Sequence, residues 1–153
     1  MYKRILCPVD GSETSNYGVS EAIALAKGQG AIMLFFHIID DYIPIVDGLG
    51  SLPHVNVSDV LLSNAKMVLK KANDEAESHG VKAETKMIKV FSGNLADIIV
   101  NEAKDWDADI IVMGTHGLRG FDRLVMGSDA ESVVRTSPVP VMLLNMATMK
   151  RGG

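Results

Sequence analysis

The sequence predicts an α/β fold, an open parallel five-stranded sheet with helices on both faces, on three observations. Short apolar runs rich in β-branched residues, Ile5 to Val9, Ile32 to Ile39, Ala108 to Met113 and Val139 to Leu144, have the character of strands covered on both sides. Segments with apolar residues at every third or fourth position separate them. The chain has 153 residues, 47% hydrophobic and 22% charged, which is the length and composition of a single globular domain. Such a chain buries on the order of 70% of its unfolded surface and needs neither a disulfide nor a structural metal to form a core.

The elements follow in order. After the first strand, Val19, Ala22, Ile23 and Ala26 recur at helical spacing, and Gly28 and Gly30 supply an ending. After the second strand, Leu61, Ala65, Val68, Ala72 and Ala76 predict a helix from about Ser58 to His79, with Gly80 as its terminator. Residues 81 to 90 alternate in the manner of a strand at a sheet edge, a position that accommodates their lysines. Asn94 is placed to cap a third helix carrying Leu95, Ile98, Ile99 and Ala103. Ser128 is placed to cap a fourth carrying Ala130, Val133 and Val134, which Pro138 stops. Strict alternation of five strands and four helices implies right-handed crossovers and a Rossmann-like parallel sheet, in which ligands gather at the carboxyl ends of the strands. Two connections, 40 to 57 and 115 to 126, exceed what a turn requires, as functional loops often do. The expected domain is 1–146, with 147–153 a frayed tail.

Charge and composition exclude several function classes. Fifteen basic and nineteen acidic residues give a net charge of -4, against a general binder of nucleic acid. The lone Cys7 can form no intramolecular bridge and fits a reducing, cytoplasmic compartment. The apolar run at the N-terminus stops too soon for a signal peptide, and Ala31 to Ile39 is about half a membrane span, so a soluble protein without a membrane partner is expected.

The segment from Gly114 to Ser128 leaves a buried strand and enters a helix, with glycines at 114, 117, 120 and 127. Glycines let backbone N–H groups approach an anion, and a helix N-terminus adds partial positive charge, so the segment can cradle phosphate. It reads also as a glycine-rich connection in which Ser128 and Glu131 form a capping box, and the two roles can coexist. No Gly-Lys-Ser/Thr ending makes it a P-loop. Gly28-Gln29-Gly30 follows a helix and lacks the third glycine of a dinucleotide fingerprint. Asp10, at the end of the first strand, either caps the first helix or serves a ligand. Arg119 and Arg123 suit phosphate contacts, His116 contributes chiefly through its backbone, and His54 and His79 read as loop and helix-end residues. No histidine spacing resembles a metal site.

At its first and last loops together the chain resembles the nucleotide-binding branch of the universal stress proteins. Gly114, Gly117, Gly127 and Ser128 meet the family's Gly-x2-Gly-x9-Gly-Ser/Thr signature at full spacing, and Lys3 to Glu13 resembles its opening, including Asp10. The same order of elements covers essentially the whole chain, with His37-Ile38-Ile39 ending the second strand and Gly93 preceding the third helix. The resemblance implies binding of ATP or another adenine nucleotide by Pro8, Val9, Asp10, Ile38, Met113, Gly114, His116, Gly117, Arg119, Gly127, Ser128, Asp129 and Ala130. Val9 and Ile38 would lie against the base, Asp10 near the ribose or a Mg²⁺ ion, and the 114 to 128 loop around the phosphates. It also implies a regulatory homodimer built through the final strand, Val139 to Leu144.

After Gly127-Ser128 the family's ATP binders commonly carry an apolar residue and then a small or hydroxylated one, where this chain has Asp129 and Ala130. Asp129 complements the helix dipole but would repel a phosphate there by on the order of 1 kcal/mol. Ala130 lacks a hydroxyl for a terminal phosphate. A slow Mg²⁺-dependent ATPase and a nucleotide-independent dimerisation module are the alternatives to a nucleotide sensor. No Ser-His-Asp order or water-activating base points to catalysis.

Overall fold

The computed structural model describes residues 1–40, 57–91, 93–115 and 127–145. Its elements run β1 (Arg4–Pro8), α1 (Glu13–Gln29), β2 (Ile32–Asp40), α2 (Val57–Ser78), β3 (Ala83–Val90), α3 (Leu95–Asp105), β4 (Ile110–Gly114), α4 (Ser128–Thr136) and β5 (Val141–Leu144). The five strands form one sheet in the order β3-β2-β1-β4-β5, every neighbouring pair parallel. The expected α/β architecture is therefore present, with β3 an edge strand that begins at Ala83 rather than at Val81.

Local chemistry explains the boundaries. The Ser12 side chain accepts from the Ser15 N–H at the start of α1. At its end Gly30 takes a left-handed conformation, φ 65°, which glycine adopts without strain, while Gly28 lies inside the helix rather than ending it. Asn94 caps α3 as expected, its Oδ1 accepting the Ala96 N–H at 2.9 Å. The cap expected of Ser128 does not form: Ser128 is the first helical residue, Gly127 holds the cap position, and the Glu131 N–H bonds to the Gly127 carbonyl at 3.0 Å. Glu131 turns instead to Arg135, one helical turn on. The last strand begins at Val141 rather than Val139, because Pro138 and Pro140 have no N–H for a ladder.

Alternation along the strands divides the core between the two faces of the sheet. Ile5, Cys7, Val9, Met33, Phe35 and Val112 pack beneath α1 and α2, and Leu6, Leu34, Phe36, Ile111 and Met113 beneath α3 and α4. Val134, expected in the core, is instead 45% exposed, since the short α4 buries only Ala130 and Val133 against the sheet. Among the described residues no helix is long and apolar enough to cross a membrane.

Candidate functional site

The strand order reverses at β1. From this central strand the chain first builds outward through β2 and β3, then returns to lay β4 and β5 on the other side. At such a switch point the connections leave in opposite directions and open a crevice at the carboxyl ends of the strands. A cleft lies there, floored by Val9, Phe36, Ile38 and Met113 and walled by Leu95, Ile99 and Ala130. Asp10, Ser12, Thr14, Ser15, Asp40, Thr115 and Asp129 give it polar edges.

The floor is fixed by the backbone beyond the end of β1. Pro8 cannot donate to a ladder, yet Val9 stays joined to β2: its N–H donates to the Phe36 carbonyl at 2.8 Å. Its carbonyl receives His37 Nδ1 at 2.7 Å. A carbonyl only accepts, so this contact places the proton of the buried imidazole on Nδ1. The next residue, Asp10, donates its N–H to Ser15 Oγ at 3.0 Å and accepts the Ser12 N–H on Oδ1 at 2.8 Å. Asp10 thus closes a tight turn through its side chain, and Ser12 rather than Asp10 caps α1. Gly11 makes the turn possible with φ 81° and no Cβ, which would lie 2.9 Å from Val68 Cγ2. The carboxylate of the exposed Asp10 keeps Oδ2 clear of hydrogen bonds among the described residues.

Of the residues expected at a ligand site, Pro8, Val9, Asp10, Ile38, Met113, Gly114, Asp129 and Ala130 line this cleft together. Gly127 and Ser128 stand at the start of α4 but are not among its described lining. His116, Gly117 and Arg119 lie outside the described residues, as do Arg123 and His54. Gly114 has a packing reason of its own: a Cβ there would meet Thr14 backbone atoms at 2.8 and 2.9 Å, so its hydrogen admits the first turn of α1.

The contacts of His37, named above only within the end of the second strand, and of Ser15 were not among the expectations. A polar residue at a core-facing position of an otherwise apolar strand was the available signal for His37. Among the described residues no group of three or more His, Cys, Asp or Glu side chains is arranged to hold a metal ion.

Sheet order and cleft define an open doubly wound α/β protein with a cleft at its switch point. The chain belongs to the universal stress protein family, whose model matches residues 1–145. A universal stress protein of Methanocaldococcus jannaschii, MJ0531, is 35% identical over 148 residues, covering 94% of this chain and 82% of the relative. The solved structure of the protein MJ0577 from the same organism is 28% identical, with a TM-score of 0.74 and coverage of 95% and 96%. The structure of an Archaeoglobus fulgidus universal stress protein in complex with dAMP is 24% identical, with a TM-score of 0.67 and coverage of 94% and 98%.

Proposed function

We propose that this universal stress protein binds an adenine nucleotide, ATP or a relative of it, in the cleft at the carboxyl ends of β1, β2 and β4, and that it works as a nucleotide-dependent regulatory dimer. The observation that carries the reading is the convergence of segments distant in sequence, 8–10, 36–40, 113–115 and 129–130, on one cleft with an apolar floor and an acidic edge. A planar base suits the surface of Val9, Ile38 and Met113, and the open Oδ2 of Asp10 suits a ribose hydroxyl. The dAMP complex of the A. fulgidus relative supports the same ligand class. Asp10 would hold a Mg²⁺ ion, which would supply charge neutralisation beside a bound phosphate.

The dimer rests on β5, an edge strand with Val141, Met142 and Leu143 half-buried. An apolar edge of this kind is blunted when a second copy pairs with it. The ligand test is to denature the purified protein, identify any released nucleotide, and titrate adenosine, AMP, ADP and ATP with and without Mg²⁺. Binding of at least one of them is expected, and no binding at millimolar concentrations overturns the reading. Light scattering after size-exclusion chromatography is expected to give twice the chain mass. A monomer at all concentrations removes the dimer.

A further inference from the structure

We propose that the cleft takes its adenine ligand with one phosphate in preference to three, and that Asp129 sets this preference. The inference rests on the adenine-nucleotide reading above and specifies its ligand. The described lining of the cleft contains three carboxylates, Asp10, Asp40 and Asp129, and no lysine, arginine or histidine. Asp129 sits in the first turn of the nine-residue α4. It is half-buried, and no hydrogen bond or ion pair engages it among the described residues. The other acid of that turn, Glu131, is paired with Arg135 at 2.8 Å.

Two opposing effects meet at this helix end. Gly127 offers no side-chain cap, and among the described residues no hydrogen bond engages the N–H groups of Ser128, Asp129 and Ala130, which leaves them as donors for one anionic group. Asp129 places a fixed negative charge in the same turn, against the cleft. A single phosphate can use the donors while keeping most of its charge hydrated. Two further phosphates bring added charge toward Asp129 and Asp10 without a cation in the described lining to meet it. Half-burial strengthens this repulsion, because the effective dielectric is below that of water. Arg119 and Arg123 lie outside the described residues.

The experiment titrates adenosine, AMP and ATP calorimetrically into the full chain with a chelator present, at low and high salt, for the native protein, Asp129→Asn and Asp129→Ser. Far-UV circular dichroism confirms that each variant is folded, and the serine variant keeps an oxygen in the first turn without its charge. AMP is expected to bind the native protein more tightly than ATP, and the gap to narrow as salt screens the repulsion. Both variants are expected to tighten ATP by roughly 3- to 10-fold, with adenosine changed by less than about twofold. ATP binding as tightly as AMP, a gap that widens with salt, or variants that shift adenosine and ATP alike overturns the inference while leaving adenine binding intact. Failure of all three ligands to bind the native protein defeats the adenine reading itself.

Discussion

At Gly114 a hydrogen in place of a methyl group decides how closely β4 can meet α1. The Cβ of an alanine would stand 2.8 Å from the Thr14 carbonyl oxygen and 2.9 Å from its carbon, both backbone atoms that cannot rotate away. Gly114→Ala is therefore expected to destabilise the fold by about 1–3 kcal/mol, read as a fall in the urea midpoint at unchanged slope. Gly18 faces the same junction from α1, but its Cβ would come no nearer than 3.4 Å, to the Gly114 nitrogen. Helix propensity favours alanine there, so Gly18→Ala should stay within about 1 kcal/mol of the native protein. Equal losses in the two variants would show that the contact with Thr14 is not what requires glycine. Thus one glycine of the phosphate-type signature has a packing reason to be there, independent of any ligand.

At the scale of elements, β3 and α3 are joined by one ion pair between an exposed strand and a buried helix position. Lys86 Nζ lies 2.9 Å from Glu102 Oε1 and 3.0 Å from Oε2, and Glu102 is only 4% exposed. Lys86→Met leaves a buried carboxylate without its partner and is expected to cost about 1–3 kcal/mol, less than a fully buried pair because the lysine is half in water. Adding Glu102→Leu removes the stranded charge and should recover most of that loss in the same denaturation measurement. A double variant no more stable than Lys86→Met would show that charge burial is not the cause. The period-2 pattern of residues 81 to 90 was enough to place an edge strand, and edge exposure alone accounted for its lysines. The partner of Lys86 was not legible, since no pattern within an element encodes a pairing with a residue sixteen positions on. The same limit applies at α4, where Ser128 followed by Glu131 satisfies the capping-box rule and the helix nevertheless begins at Ser128, with Glu131 held by Arg135.

For the whole molecule, legibility followed the range of the interactions. Strand runs, helix periodicity and the glycine and asparagine ends are local, and they located the nine elements of the described residues. The convergence of Asp10, Ile38, Met113 and Ala130 was inferred by way of a family resemblance, because three-dimensional adjacency leaves no trace in spacing. The sheet order that joins these residues also puts Cys7 at the centre of the protein, on β1 between β2 and β4 and fully buried. Burial pushes its thiol from an ordinary 9.0 up to about 12, and the Glu75 carboxylate adds to the shift. Above pH 9 the unfolded chain releases this proton while the folded one retains it, so the contribution to stability is fully present below that pH and is lost as pH rises toward 12. The slope is about 1.4 kcal/mol per pH unit. Relative to Cys7→Ala, which shares every other titrating group, the native protein should lose roughly 1.6 kcal/mol between about pH 9 and 10.5 in urea unfolding. A stability difference between the two proteins that stays constant across that interval would mean that Cys7 titrates normally in the folded state, and that the centre of the sheet admits water.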